Sequence, residues 1–168
     1  ITGVNNGVSY VVRVAAVNSK GQGAWSAEST SVVPGNVPDQ IADLAGNAQD
    51  GAVALTWTVP ASALPVTSHH LQYKKQSEST WTTFNGAIAI EESAATATVS
   101  GLNNGETYDF EVAAVNAVGS SPAASTSAKP FALPGAVTNF VAENAGNSVS
   151  KSWSAPASNG GGTITDYV

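Results

Sequence analysis

Cysteine is absent from this sequence, so neither a disulfide nor a thiolate metal site can form within it. Charge is also scarce: Asp, Glu, Lys and Arg make up 11% of the chain, and Arg13 is its only arginine. The net charge of −6 comes without the clustered basic residues that phosphate binding requires, which argues against nucleic acid and anionic membranes as partners. No apolar run approaches the ~20 residues needed to cross a bilayer, so we expect no membrane insertion.

Residue patterns that carry catalysis or bind metals are scarce as well. The only histidines are His69 and His70, and neighbours on a strand point to opposite faces, which prevents easy chelation of one ion. No serine lies in a Gly-x-Ser-x-Gly turn. The adjacent Glu91 and Glu92 are better explained as solvated loop charges than as glycosidase carboxylates, which face each other across a cleft. We therefore expect no enzymatic activity, no cofactor and no metal.

Ala, Ser, Thr, Val, Asn and Gly fill the chain, a composition that favours strands and turns over helices. The stretch "AVALTWTV" alternates, with Val53, Leu55 and Trp57 on one side, and "TYDFEVAAVN" does the same from Tyr108 to Ala114. Asn103-Asn104-Gly105 is a strong turn signal between two such runs. About seven short strands separated by turns predict an antiparallel β-sandwich.

The sequence also repeats itself. "ITGVNNGVSYVVRVAAVN" at the start returns as "VSGLNNGETYDFEVAAVN" at residues 99–116. The landmarks recur 96 to 100 positions apart: Gly3 with Gly101, Tyr10 with Tyr108, Pro34-Gly35 with Pro134-Gly135, Ala45-Gly46-Asn47 with Ala145-Gly146-Asn147, and Trp57 with Trp153. Solenoid repeats run about 20–50 residues, so a period this long indicates repetition of a whole domain.

These motifs resemble the fibronectin type III domain, of the kind found in bacterial exported proteins and phage virions. Trp57 occupies the position of the family's strand-B core tryptophan, and Leu102 and Tyr108 match its leucine and corner tyrosine at the E–F connection. Tyr10 and Trp153 hold the corresponding positions in the flanking repeats. The resemblance covers the whole chain and implies tandem immunoglobulin-like antiparallel β-sandwiches.

The phase of the repeat predicts one complete domain between two partial ones. Residues 1–34 correspond to the end of strand E with strands F and G, residues 36–131 form the complete domain, and residues 134–168 correspond to strands A, B and the start of C. Two explanations stay open at this point. The chain is a window on a longer tandem array, or the partial domains complete each other in trans, head to tail.

Two positions depart from the family pattern. "AGNSVSKSW" has four residues fewer before its tryptophan than "AGNAQDGAVALTW", and counting back from Trp153 places Lys151 on the inner face, where Leu55 lies in the full repeat. A displaced strand, a lysine that extends to an edge, or an error in the sequence would each account for this. His69 stands where the family usually has a strand-C tyrosine, and we expect it to fill that aromatic position, partly buried.

The resemblance implies a non-enzymatic function. We expect structural or spacer modules of a large extracellular, cell-surface or virion-surface protein that support adhesion or assembly. The alternatives are carbohydrate- or protein-binding adhesin modules, in which exposed Trp25 and Trp81 would contact the ligand, or accessory modules of a secreted glycan-degrading enzyme. The expected partners are other domains of the same chain, a protein or glycan on a surface, and further copies associating laterally or head to tail.

Overall fold

The computed structural model describes residues 1–91 and 93–168, which form twelve strands and no helix. In chain order the strands are β1 (Val17–Asn18), β2 (Gly21–Gln22), β3 (Ala45–Gln49), β4 (Ala52–Thr58), β5 (Ser68–Lys75), β6 (Thr82–Thr83), β7 (Ala89–Glu91), β8 (Ala94–Ser100), β9 (Tyr108–Val115), β10 (Ala124–Ala128), β11 (Thr138–Asn144) and β12 (Val149–Ser154). We refer to residues 1–34 as the N-terminal segment, 36–131 as the central sandwich and 134–168 as the C-terminal segment.

The central sandwich consists of two four-stranded antiparallel sheets, in the orders β3-β4-β8-β7 and β10-β9-β5-β6. The all-β sandwich prediction is therefore confirmed. Its edges differ in detail from the expectation. The run "STWTTF" supplies only the two-residue strand β6, and β7 adds an edge strand that the sequence patterns did not indicate.

The core lies between the two sheets and follows the predicted alternation. On β4, Leu55 and Trp57 are buried while Thr56 and Thr58 are exposed. On β9 every second residue from Tyr108 to Ala114 is buried. Each large apolar side chain buried in this way contributes about 1.5–3 kcal/mol, so the alternation fixes which face of each strand turns inward.

A Trp–His pair lies at one side of the core. The rings of Trp57 and His69 meet edge to face, with centroids 5.4 Å apart and planes at 68°. Both imidazole nitrogens and the indole Nε1 are buried and have no hydrogen-bond partner among the described residues. Burial lowers the pKa of His69, because desolvation penalises the charged imidazolium. In the C-terminal segment, Trp153 and Tyr167 form the corresponding pair at the same 5.4 Å separation.

The turn between β8 and β9 is fixed by the tyrosine that follows it. The Tyr108 hydroxyl accepts a hydrogen bond from the Asn103 backbone N–H at 3.0 Å. In the N-terminal segment the Tyr10 hydroxyl accepts the same bond from Asn5 at 2.9 Å. The two copies of the turn, 98 positions apart in the sequence, therefore share one conformation.

The strand pairing corrects our alignment of the C-terminal segment. The register Gly46↔Leu55 on β3 and β4 returns as Ala142↔Lys151 on β11 and β12, 96 positions later. Our predicted four-residue shortening, with Ala145-Gly146-Asn147 equivalent to Ala45-Gly46-Asn47, is therefore wrong. The second Ala-Gly-Asn lies in the turn after β11, where Gly146 adopts a φ of 75°.

A polar contact at the start of these hairpins supports the period of 96. The backbone N–H and hydroxyl of Thr58 both donate to Asp43, which lowers the pKa of that carboxyl. At the equivalent positions the Asn139 amide donates to the Ser154 hydroxyl at 3.2 Å. Strand β12 is therefore in register with β4, and no displaced strand accounts for Lys151.

The side chain of Lys151 lies on the same side of β12 as Trp153. Both line a depression with Phe140 and Tyr167, as the sequence alternation predicts, and Lys151 is exposed. Trp153 differs from the buried Trp57, because 40% of it is exposed. The depression beside Trp153 is open to solvent, whereas Trp57 lies between two four-stranded sheets and is 3% exposed.

The N-terminal segment folds as a hairpin equivalent to β9 and β10. Val17 and Asn18 pair with Gln22 and Gly21, and the carbonyls of Val14 and Val12 accept backbone bonds from Ser26 and Ser29. Val12 and Val14 are 40% and 72% exposed, whereas the equivalent Phe110 and Val112 are fully buried. The inner face of this hairpin therefore has no second sheet within the described chain.

We expect Tyr108→Phe to lower the free energy of unfolding of the central sandwich by about 1–2 kcal/mol, because the Asn103 N–H loses its buried acceptor. Urea denaturation followed by tryptophan fluorescence measures the change. Tyr73→Phe is the matched control, since Tyr73 packs against the core but no hydrogen bond to its hydroxyl is found among the described residues. Equal effects of the two substitutions would contradict the role of the corner hydroxyl.

We also expect the stability of the sandwich to fall as the pH is lowered below about 6.5, the pKa of an unfolded histidine. The folded state lowers the pKa of His69, so the unfolded state binds more protons in this range and protonation favours unfolding. His69→Tyr, which copies Tyr167, should remove much of this pH dependence. Exposed His70→Gln should retain it in urea titrations between pH 5 and 8, and a slope unchanged by His69→Tyr would disprove the assignment.

Candidate functional site: the joints between repeats

The first joint connects the N-terminal segment to the central sandwich. The Gly7 N–H, in the turn before Tyr10, donates to the Pro34 carbonyl at 2.9 Å and so fixes the start of the linker. Gly7 has a φ of 77°, and a Cβ placed on it would lie 3.0 Å from the carbonyl oxygen of Ala63. Ala63 belongs to the loop between β4 and β5, so this turn packs directly on the central sandwich.

The second joint repeats this arrangement between the central sandwich and the C-terminal segment. The Gly105 N–H donates to the Pro130 carbonyl at 2.9 Å. Gly105 has a φ of 87°, and a Cβ placed on it would lie 3.1 Å from the Cα of Gly161. Gly161 lies in the loop after β12, which is the counterpart of the β4–β5 loop.

The two joints correspond residue by residue. Gly7 and Gly105 are 98 positions apart, and so are their neighbours across the joint, Ala63 and Gly161. Glycine is required at the turn for two reasons, because the left-handed backbone disfavours a side chain and the neighbouring loop leaves little room for one. The recurrence shows that the packing is a property of the repeat and not of one linker.

Further hydrogen bonds hold each linker against the unit that follows it. At the first joint the amide of buried Asn116 donates to the Asn36 carbonyl at 2.8 Å and to the Ser62 hydroxyl at 3.1 Å. At the second joint the Ala132 N–H donates to the Gly160 carbonyl at 2.8 Å. The linkers are thus bonded along their length, in addition to the stiffness that proline gives them.

The turn at the second joint is also bonded to its own sandwich. The Asn104 amide donates to the Asp50 carboxylate at 2.7 Å, and its carbonyl accepts from the Gly51 N–H at 2.8 Å. The Phe131 N–H donates to the Gln49 carbonyl at 3.2 Å. A displacement of the C-terminal segment would therefore be resisted by the body of the sandwich and not by a flexible loop.

Sequence reasoning identified the prolines of the linkers but not the contacts that make the joints. Neither Asn116 nor Gly161 was among the predicted functional residues. The recurrence of Asn-Asn-Gly before each corner tyrosine is the signal that could have revealed the joint. The turn itself needs a positive φ at only one of these residues, so repetition of all three indicates a further constraint.

The structure does not bring the proposed ligand aromatics together. Trp25, 54% exposed, lies in the N-terminal segment, and the Arg13 guanidinium is 5.7 Å from its ring centroid. Trp81 is half-buried on the central sandwich, and Lys74 Nζ is 5.3 Å from its ring centroid. Each ring thus has a cation over one face, an interaction of about 0.5–1 kcal/mol at an exposed site.

The predicted core markers differ in their exposure, and Trp153 is 40% exposed in the C-terminal segment. Trp57, Leu102 and Tyr108 are buried in the central sandwich, and Tyr10 is half-buried in the N-terminal segment.

Side chains that could bind a metal or catalyse a reaction are dispersed over the described part of the chain. In residues 1–91 and 93–168, no three His, Asp or Glu side chains lie close enough to hold a metal ion. Of the pair considered for glycosidase chemistry, Glu91 ends β7 and Glu92 lies outside the described residues. The described strands and loops also include no helix with the length and apolarity to span a membrane.

Comparison with protein families identifies the domain type of the central sandwich. The model of the fibronectin type III domain matches residues 39–130, more than half of the chain and nearly all of the central sandwich. Among solved structures, the chain is similar to the rat CD45 extracellular region, domains d3–d4, with a TM-score of 0.50. That match covers 77% of this chain and 67% of the CD45 chain at 12% identity, and it shows a shared fold only.

Two curated relatives are similar along the whole chain. One is the M-protein of striated muscle from Gallus gallus, 26% identical over an alignment of 183 positions that covers 100% of this chain. The other is myomesin-2 from Homo sapiens, 27% identical over an alignment that covers 99% of this chain. The chain spans 12% of the length of each relative.

These relatives correct our expectation about location. We predicted an extracellular, cell-surface or virion-surface protein, and this is wrong, because the similar proteins are intracellular sarcomeric proteins. A bacterial or phage origin has no support from relatives found in chicken and human. The fibronectin type III domain is similar to modules of these muscle relatives, which are structural modules of larger proteins.

With the sandwich, its corner tyrosine and the family match over residues 39–130 in agreement, the chain belongs to the fibronectin type III family.

Proposed function

We propose that this chain is a stretch of a tandem fibronectin type III array that serves as a stiff spacer in a longer protein. In this proposal residues 1–34 and 134–168 are parts of neighbouring modules, and residues 36–131 are one complete module. The observation that carries the proposal is the recurrence of the joint, in which Gly7 against Ala63 becomes Gly105 against Gly161.

Stiffness follows from how each joint is built. A linker free to move would expose its backbone N–H and C=O groups to water, whereas here Pro34, Asn36, Pro130 and Ala132 are bonded to the modules on either side. Pro130 is fully buried. Each module is a rigid element about 30–40 Å long, given strands of this length and their loops. Bonded joints between such elements transmit orientation as well as distance.

The relatives support a structural role and not a catalytic one. The M-protein of striated muscle and myomesin-2 are similar to the chain over its full length, and the chain corresponds to only a small part of each. A segment that repeats inside long structural proteins contributes through its span. The dispersed chemical groups and the separated aromatics Trp25 and Trp81 give no comparable support to a ligand-binding role.

We expect Gly105→Asn to loosen the second joint. Asparagine tolerates the left-handed backbone, so the turn keeps its conformation, but the new side chain enters the space occupied by Gly161. Because the chain lacks cysteine, spin labels can be attached at introduced cysteines replacing exposed Thr98 and Ser150, on either side of the joint. Double electron–electron resonance should show a single narrow distance distribution in the parent and a broader one in the variant.

Gly101→Asn is the matched control for this experiment. Gly101 has a similar φ of 76°, but a Cβ there would meet nothing within 4 Å. Gly101→Asn should therefore have the same free-energy cost for a side chain at positive φ, and the distribution of spin-label distances should stay narrow. A broad distribution in the parent protein would refute the stiff joint, as would equal broadening by the two variants.

We further expect that one period can be removed without loss of folding. Deletion of residues 35–130 joins Pro34 to Phe131 and places Gly7 against Gly161, which preserves the form of the joint. Small-angle X-ray scattering of the longer protein should show its maximum dimension reduced by about 30–40 Å, one module length.

The control deletion removes residues 35–134, the period of 100 suggested by the Pro-Gly repeat. It joins Pro34 to Gly135 and loses the bond between Ala132 and Gly160, so we expect lower stability or a bent joint. The proposal fails if the two deletions behave alike, or if removal of residues 35–130 leaves the maximum dimension unchanged.

A further inference from the structure

The N-terminal segment carries an exposed apolar surface with one cation at its centre. Counting by strand alternation from Tyr10, the residues Val11, Arg13 and Val17 lie on the outer side of the hairpin, and Trp25 adds its ring beside Arg13. Val11, Val17 and Trp25 are 52%, 73% and 54% exposed. Arg13 is the only arginine of a chain whose net charge is −6. We call these four residues the basic face.

The equivalent outer side of the central sandwich has a net negative charge, since it carries two carboxylates and one cation, Lys74. Asp109 and Glu111 occupy the positions of Val11 and Arg13, 98 residues later, on β9. A groove beside them is lined by Trp81, Ser125, Thr126 and Ser127 together with both carboxylates. We call Asp109, Glu111 and Trp81 the acidic face.

The carboxylates of the acidic face retain free acceptor capacity. Glu111 accepts a bond from the Gln72 amide at 2.7 Å. Asp109 lies 3.3 Å from Lys74 Nζ and accepts a bond from the Ser127 hydroxyl. A carboxylate offers about four lone-pair sites, and a guanidinium has five N–H donors in a planar fork, so an arginine from outside can bind here in addition to these partners.

We propose that the basic face of one copy of this chain binds the acidic face of a second copy. Charge complementarity selects this occupant: most of the surface of a chain with net charge −6 repels a second copy, whereas Arg13 opposite Asp109 and Glu111 attracts it. The valines and the two tryptophans supply the apolar and aromatic contact that gives such interfaces most of their affinity. Because the basic face lies on the N-terminal segment and the acidic face on the central sandwich, the contact pairs different modules of the two copies. One array is therefore shifted by one module relative to the other.

The test is sedimentation velocity of the full-length protein at about 0.1 M salt, where exposed charges more than about 10 Å apart are largely screened, with charge reversals on each face. Arg13→Glu and Glu111→Arg should each weaken self-association by about tenfold or more, and the double variant should restore it, because the pair is re-formed with exchanged signs. The neutral variants Arg13→Gln and Glu111→Gln should weaken association without reversing the charge. The glutamine of Glu111→Gln can still accept the hydrogen bond from Gln72, so weaker association of this variant is not explained by loss of folding.

The control reversals are Lys151→Glu and Glu143→Arg, which make the same changes of net charge at exposed positions of the C-terminal segment, which contributes no residue to either face. They should leave association within about threefold of the parent, since distant surface charges are screened by salt. The proposal is overturned if the parent is monomeric up to ~100 μM, if the controls weaken association as much as Arg13→Glu, or if the double variant fails to restore it.

Discussion

The turn that precedes the corner tyrosine is the constraint on which the rest of this structure depends. The hydroxyl of Tyr108 fixes one side of the turn by accepting the Asn103 N–H, and Asn104 fixes the other side by bonding to the hairpin between β3 and β4. With both sides held, Gly105 presents its N–H to the linker and its bare Cα to the next unit. One tyrosine therefore connects the core of a sandwich to the orientation of its neighbour.

The sequence was sufficient to predict the sandwich and its inner faces, because burial on one side imposes an alternation that can be counted. The predictions were weaker where the period of two does not apply. The edge strand Ala89–Glu91 has no alternation to reveal it, and the two copies of Ala-Gly-Asn were aligned as equivalent although the first begins β3 and the second forms a turn. Identical letters can occupy different backbone positions, whereas the pairing of Ala142 with Lys151 determines the register directly.

The candidate site was harder to foresee than the fold. The joint is formed by residues from three separate stretches of the chain, and its key contacts involve backbone atoms, which residue types reveal only indirectly. Glycine at position 105 is explained by a turn alone, so nothing in the letters indicated that a neighbouring loop lies 3.1 Å from the place of its missing Cβ. The location of the protein was also predicted wrongly, because the sequence of a spacer module has no feature that distinguishes a protein inside the cell from one outside it.

The central claim is that successive modules are held in one relative orientation by this turn. The most direct measurement is the set of residual dipolar couplings for backbone N–H groups in the central sandwich and in the module that we propose follows it in the longer protein. A stiff joint predicts that one alignment tensor fits both modules, with equal magnitude and a fixed relative orientation. Two tensors of clearly different magnitude would show that the modules move independently and would contradict the account.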